Sequence, residues 1–185
     1  MKEINFRKVI VNLLGIMIGR AVFAGMNPLG MGFFAAAYID KKGRLAILIS
    51  VLLGMVTAYP IIEVAKYLII MLVIVAIIIL LEYNSKHLPI GAIAGISGAV
   101  TCFMSIANGL LSVNTKDNII LGIGEGIAIF AITFIFRKGI EAIVFTTRGQ
   151  ALDNEQIISI AVILAAFLYG IPHVENLGFS LTLSA

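Results

Sequence analysis

The chain has 185 residues, of which 61% are hydrophobic and 12% charged, and its formal net charge is +3 at pH 7. A soluble domain contains roughly 45–50% apolar and about 25% charged residues, so this composition argues against a water-soluble globule. The small net charge gives no support for nucleic-acid binding, and the single cysteine, Cys102, cannot form a disulfide within the chain.

The first apolar run, residues 9–26, contains Arg20 in a stretch that otherwise suits lipid. We interpret the run as a retained first span rather than a cleaved signal peptide, because further apolar runs follow it. Pro28 lacks a backbone donor and disfavours helical geometry at Asn27. The first helix is therefore expected to end near Met26.

Pro28 is also well suited to the first position of a new helix. The run that follows, residues 29–39, is too short to cross a bilayer alone. Together these features predict a Pro-broken hairpin with its turn at Asn27 and Pro28 and a short second arm. Irregular backbone at membrane depth must be covered by protein or line a cavity, so the turn is expected to face the bundle or to reach the far interface.

Five more apolar runs follow, and those at residues 61–81, 88–113 and 118–136 are long enough to span a membrane on their own. The runs at residues 45–60 and 156–171 are slightly short. The pattern predicts an all-α fold, a polytopic transmembrane helical bundle of about six spans plus the broken arm. Residues 1–185 are expected to form a single transmembrane domain.

The basic residues predict the orientation of this bundle. If every run reverses the chain, ten of the thirteen Lys and Arg residues lie on one side, Lys66 and Lys116 lie on the other, and Arg20 lies within. Basic loops remain in the cytoplasm, so we expect a multi-pass plasma-membrane protein with a cytoplasmic N-terminus. The ten residues are Lys2, Arg7, Lys8, Lys41, Lys42, Arg44, Lys86, Arg137, Lys138 and Arg148.

Residues 137–155 form the longest polar stretch and carry an apolar stripe that includes Ile140 and Ile143. A cytoplasmic amphipathic connector on the anionic inner leaflet fits this pattern, and an ordinary solvated connector is the alternative. Asp153 and Gln156 have the spacing of a capping box that would start the last helix.

Two charges lie deep within apolar runs, and each is costly in a bilayer without a partner or a water-filled pocket. Arg20 is one of them, and Glu125 within "GIGEGIAIF" is the other. We hypothesise that Arg20 and Glu125 form a structural intramembrane pair. Another buried acceptor for Arg20, or a side chain that reaches the interface, is the alternative. The same two charges also suit a proton or ion relay.

Three glycine pairs have the GxxxG spacing that lets membrane helices approach closely. They are candidates for helix packing and for self-association, although glycine spread through a bundle produces such pairs by chance. The pairs are Gly15 and Gly19, Gly91 and Gly95, and Gly122 and Gly126.

The residues alone offer no catalytic triad, phosphate-binding loop or set of metal ligands. We therefore expect neither a catalytic residue nor a cofactor-binding residue in this chain. A small membrane transporter or solute-binding membrane subunit is one function that these residues leave open.

Three segments carry a resemblance to a known family: "GRAVFAGMNPLGMGFFAAAY" (19–38), "GIGEGI" in a later helix, and "RGQALDNEQIISIAVILAAFLYGI" (148–171). They resemble the amino-terminal membrane region of stage II sporulation protein E, a membrane-bound serine phosphatase of endospore-forming Firmicutes. Positions that match the family pattern are Arg20, Pro28, Phe33, Phe34, Asn154 and Glu155.

The resemblance implies that this chain is a fragment that anchors a larger protein. The family continues into a PP2C-type serine/threonine phosphatase domain, where manganese would bind, and that domain activates a sigma factor at the asymmetric septum. The resemblance further implies the lipid bilayer, self-association and cell-division proteins as partners. Whether the chain itself is part of an enzyme is left open.

Overall fold

The computed structural model describes residues 2–23, 25–39, 43–84, 88–110, 115–145 and 151–171. These residues form seven α-helices and no β-strand, which confirms the predicted all-α fold. The helices are α1 (Lys2–Gly19), α2 (Pro28–Tyr38), α3 (Arg44–Val56), α4 (Ile61–Asn84), α5 (Ile90–Leu110), α6 (Thr115–Phe145) and α7 (Asn154–Gly170).

Contacts at one end of the bundle join helix ends that are distant in the sequence. Arg7 near the start of α1 donates to the carbonyl of Val144 at the end of α6, at 3.0 Å. Arg44 at the start of α3 forms two hydrogen bonds, of 2.7 and 2.6 Å, with Glu82 at the end of α4. We call this end, with Arg7, Lys8, Arg44 and Lys138, the basic end.

The other end of the bundle holds Glu125, and we call it the glutamate end. There the turn between α1 and α2 meets α4, α5 and α6, and Tyr169 near the end of α7 donates to the carbonyl of Val22 at 2.8 Å. Helices that begin at one end therefore finish at the other, and successive helices alternate in direction. Lys41, Lys42, Lys86 and Arg148 lie outside the described residues.

Helix α2 lies in the centre of the bundle, where Pro28 and all residues from Gly30 to Tyr38 are buried. A helix that is apolar on every side is stable only when protein or lipid surrounds it completely, and α2 packs against α1, α3, α5 and α6. Phe33 meets Phe136 of α6 edge to face, with ring centroids 5.7 Å apart. With 11 residues, the helix is about 16 Å long, which confirms the short second arm.

The start of α2 agrees with the sequence, whereas the end of α1 does not. Asn27 is the N-cap, its side chain accepts from the Gly30 amide, and Pro28 occupies the first turn. However, α1 ends at Gly19, seven residues before the expected end near Met26. Gly25, with φ +78°, allows the reversal in which Phe23 and Met26 exchange two backbone hydrogen bonds.

Three helices are long and apolar enough to cross a membrane, by length and composition, among the residues described. They are Ile61–Tyr83, Ile90–Leu110 and Lys116–Val144, with mean hydropathies of 3.1, 1.8 and 2.3. These are the three runs that the sequence identified as sufficient alone. Helices α3 and α7 are apolar but shorter, so the count of six spans stays a prediction.

The polar stretch at residues 137–155 is divided between two helices and a gap. Residues 137–145 continue α6, which runs unbroken from Thr115 to Phe145, and residues 146–150 lie outside the described part of the chain. The capping box before α7 is confirmed, because Asp153 accepts from the Gln156 amide at 2.7 Å and the Gln156 side chain accepts from the Asp153 amide at 3.2 Å.

Candidate functional site: a buried carboxylate cluster

Glu125 lies on the face of α6 that is turned into the bundle and is only 2% exposed. Three donors from three other parts of the chain reach its carboxylate. The Tyr67 hydroxyl donates to Oε1 at 2.6 Å, Ser105 donates to Oε2 at 2.9 Å, and the Asn27 amide donates to Oε1 at 3.3 Å. We call Glu125, Tyr67, Ser105 and Asn27 the carboxylate cluster.

The first turn of α2 contributes electrostatically to this cluster. The Asn27 amide donates both to the Tyr67 hydroxyl, at 2.8 Å, and to Glu125. A helix N-terminus carries a partial positive charge, and a carboxylate placed there is stabilised. Both carboxylate oxygens accept hydrogen bonds, so the arrangement suits an ionised Glu125, although no Lys or Arg side chain among the described residues donates to it.

The Asn27 side chain joins the end of α1 to the start of α2. Its Nδ2 donates to the Gly19 carbonyl at 2.7 Å, while its Oδ1 accepts from the Gly30 amide at 2.7 Å. Since Asn27 is fully buried, water cannot supply hydrogen bonds to these polar groups. The two bonds within the protein satisfy them instead. The turn is thus covered by protein, as the sequence led us to expect.

Tyr59, between α3 and α4, supports the same turn. Its hydroxyl donates to the Met26 carbonyl at 2.6 Å, and its ring meets the Tyr67 ring edge to face with centroids 5.9 Å apart. Burial raises the pKa of Tyr59 above its ordinary value of 10, so the hydroxyl stays protonated and remains a donor. Tyr59 therefore supports the carboxylate cluster indirectly, through the Met26 carbonyl and the Tyr67 ring.

A polar cavity of about 340 Å³ adjoins the cluster at the glutamate end. Glu125 and Ser105 lie on its inner wall, and Asn108 is exposed at its outer edge. Glu63 and Lys66 of α4 line another wall and form an ion pair of 2.7 Å. The Lys66 ammonium also lies 4.6 Å from the centre of the Tyr67 ring.

The predicted pair of Arg20 and Glu125 is not formed. Arg20 lies just after the last residue of α1, half-buried, and none of the hydrogen bonds or ion pairs of Glu125 in the described part of the chain involves it. Its position at a helix C-terminus favours a positive charge. The prediction assumed that Arg20 lies within the first helix. Because α1 ends at Gly19, Arg20 lies outside it.

Two of the three glycine pairs pack inside the chain. A Cβ at Gly15 would lie 3.3 Å from Ser50 Cβ, and a Cβ at Gly19 would clash with the Val51 carbonyl, so this pair seats α1 against α3. Gly122 and Gly126 lie against Ser105 and Cys102, which seats α6 against α5.

The third pair, Gly91 and Gly95, has no such close contact. A Cβ at Gly91 would have one neighbour, at 3.8 Å, and a Cβ at Gly95 would meet nothing within 4 Å. The pairs at Gly15 and Gly122 are therefore occupied by contacts within the chain, and the face around Gly95 stays open.

Sequence reasoning identified Glu125, Asn27 and Pro28 but missed Tyr67 and Ser105. Both are uncharged residues in apolar runs, so a search for charge partners passes over them. A tyrosine inside an otherwise aliphatic span is the available signal, because a buried hydroxyl requires a hydrogen-bond partner.

The alternating apolar helices, the fully buried broken arm and the intramembrane carboxylate define the class of protein: a multi-pass α-helical membrane domain. Within that class, the family model described as "SpoIIE, N-terminal domain" matches residues 2–183. The chain belongs to this family and is the membrane-anchoring region of a SpoIIE-like protein. No curated protein and no solved structure matches the chain.

Proposed function

We propose that this domain anchors a cytoplasmic serine/threonine phosphatase in the plasma membrane and positions it at the asymmetric septum, where it contributes to sigma-factor activation. The match of residues 2–183 to the SpoIIE N-terminal domain is the observation that carries this proposal. The phosphatase and its manganese belong to a part of the protein outside this chain, so the role of these residues is placement.

The charge distribution supports a cytoplasmic N-terminus. Arg7, Lys8, Arg44 and Lys138 lie at the basic end, together with the start of α1. Lys66, by contrast, lies at the glutamate end with Glu63. Basic residues near span ends are retained in the cytoplasm, so the basic end would face the phosphatase.

Self-association and contact with cell-division proteins form part of the same proposal. The open face around Gly95 supports self-association, because a small residue without close neighbours allows another helix to approach. The pairs at Gly15 and Gly122 would not take part, since they already pack against α3 and α5.

A fluorescent protein fused before Met1 tests the positioning role in a sporulating cell that lacks its own SpoIIE. We expect fluorescence at the asymmetric septum above the level that two apposed membranes alone produce. The control is the same fluorescent protein on an unrelated membrane anchor. Equal septal enrichment of the two fusions would show that the domain anchors but does not position.

A domain exchange tests the link to the phosphatase. In the complete protein, residues 1–185 are replaced by the unrelated anchor, and septal fluorescence is measured beside phosphatase activity in membrane extracts. We expect activity to be retained and septal enrichment to be lost, together with sigma-factor-dependent reporter expression. Normal reporter expression from the exchanged protein would contradict the proposal.

A further inference from the structure

The cavity at the glutamate end is lined by more polar and charged side chains than an ordinary gap between packed helices. Its lining includes two carboxylates, an ammonium, a hydroxyl and two amides, from Glu63, Glu125, Lys66, Ser105, Asn108 and Asn118. Its volume of about 340 Å³ lies in the lower part of the range for small-molecule sites, roughly 300–1,000 Å³. A space of this size and polarity is suited to a ligand.

The charges in the wall set the sign of that ligand. Glu63 and Glu125 contribute two negative charges, while Lys66 contributes one positive charge. Lys66 is already engaged by Glu63 at 2.7 Å and by the face of the Tyr67 ring. Among the described residues of the wall, one negative charge is therefore in excess, and it resides on the buried Glu125.

The hydrogen-bond acceptors in the wall also favour a cationic ligand. An ionised carboxylate accepts about four hydrogen bonds, and Glu125 receives three from the described residues. Ser105 lines the cavity and donates to Oε2, so that oxygen is on the cavity side. Glu63 Oε2 is buried and, although close to Lys66, receives no well-aligned hydrogen bond.

We propose that this cavity binds a small organic monocation through a primary ammonium group placed against Glu125. An ammonium brings one positive charge and three donors, which matches the excess charge and the acceptors in the wall. Asn108, exposed at the outer edge, would receive a neutral polar group of the same ligand. The proposal is independent of septal positioning.

Two other ligand classes fit less well. An anion would meet an excess of negative charge on the described wall, where the Lys66 ammonium is already paired with Glu63. A divalent metal requires a dense set of oxygen ligands, and no group of three His, Cys, Asp or Glu side chains suited to a metal occurs among the described residues.

Binding is tested on the full chain in phosphatidylcholine nanodiscs, by saturation-transfer NMR with ethanolamine as the probe. Ethylene glycol is the matched neutral compound, since a hydroxyl replaces the ammonium. We expect saturation transfer to ethanolamine alone. Equal signals from the two compounds would overturn the proposal.

Charge variants then locate the site. Glu125→Gln retains the size of the side chain and should weaken ethanolamine binding by about tenfold or more, the effect of losing a charged hydrogen-bond partner. Lys66→Gln should strengthen binding, because it raises the excess negative charge. The matched control is Glu155→Gln at the basic end, where the Lys138–Glu155 pair of 3.2 Å is exposed; it should change nothing.

Lys66→Gln provides a second test in case the Glu125 variant misfolds. Lys66 lies near the outer edge and is partly exposed, so its replacement should leave the fold intact. Weaker or unchanged binding in Lys66→Gln would contradict the proposed charge relation. Unchanged binding in a folded Glu125→Gln protein would remove Glu125 from the site.

The ammonium has two possible sources, a free amine or the headgroup of an aminophospholipid. Nanodiscs that contain phosphatidylethanolamine distinguish them. If the headgroup occupies the cavity, ethanolamine saturation transfer to the unsubstituted protein will be weaker in these nanodiscs than in phosphatidylcholine nanodiscs. If transfer is unaffected, the ligand is a free amine.

Discussion

Asn27 ends one helix and begins the next with a single side chain. Its Nδ2 satisfies the last carbonyl of α1 at Gly19, and its Oδ1 caps α2 at Gly30. Its backbone amide, in turn, reaches the Tyr67 hydroxyl and Glu125. The geometry of the broken hairpin and the position of the carboxylate are therefore coupled through one residue.

Asn27→Ala should lower the free energy of unfolding by about 2–4 kcal/mol, because it removes a helix cap and leaves a buried carbonyl without a donor. The matched control is Asp153→Ala, which removes the exposed cap of α7 and should cost about 1 kcal/mol. Both are measured by SDS titration followed by circular dichroism. Equal losses would show that the bond to Gly19 contributes nothing.

Tyr67→Phe isolates the hydroxyl that donates to Glu125. We expect a loss of about 1.5–3 kcal/mol, as for hydrogen bonds to charged groups. Tyr59→Phe removes the neutral bond to the Met26 carbonyl and should cost about 1 kcal/mol. The same titration measures both variants, and a larger loss for Tyr59→Phe would contradict the central place given to Glu125.

At the scale of helices, α5 offers two glycines in contrasting surroundings. A Cβ at Gly98 would lie 2.6 Å from the Gly126 carbonyl of α6, whereas a Cβ at Gly95 would meet nothing within 4 Å. Gly98→Ala should therefore separate α5 from α6 and cost about 1–3 kcal/mol, the usual penalty of overpacking.

Gly95→Ala, one turn earlier in the same helix, serves as the control. It should be neutral, or stabilising by up to about 1 kcal/mol, because alanine has the higher helix propensity. Thermal unfolding in detergent compares the two variants. Since self-association is proposed to use this face, we also expect Gly95→Ala to shift the chain from oligomer to monomer in size-exclusion chromatography.

Hydropathy and proline chemistry were sufficient to predict α2, α4, α5 and α6, because apolar length and a missing donor act locally. The early end of α1 could not be foreseen in this way. Gly19 ends the helix where its carbonyl meets the Asn27 side chain and where its missing Cβ admits the Val51 carbonyl. Both contacts depend on tertiary structure.

The carboxylate cluster could also be predicted only in part, because the sequence shows its charge but not its uncharged hydrogen-bond donors. Glu125 is conspicuous in the sequence because a carboxylate in an apolar run demands compensation. Its compensation comes from a helix N-terminus and two hydroxyls, of Tyr67 and Ser105, and these carry no formal charge. A pairing rule based on charge therefore selected Arg20, the cation that the sequence places deep within an apolar run.

For the molecule as a whole, the separation of a basic end from a glutamate end predicts its orientation. Helix α6 starts at the glutamate end, with Lys116 as its second residue, and α7 starts at the basic end two residues after Leu152. Because basic residues are retained in the cytoplasm, position 152 should be cytoplasmic and position 116 external. Both side chains are exposed, so each position is suited to chemical labelling.

Single-cysteine variants test this orientation after Cys102, the only cysteine, is replaced by alanine. A membrane-impermeant maleimide added to intact cells should label Lys116→Cys but not Leu152→Cys. Permeabilised cells are the control, in which both variants should be labelled. Labelling of Leu152→Cys alone in intact cells would invert the bundle, and the basic end would then not face the cytoplasm.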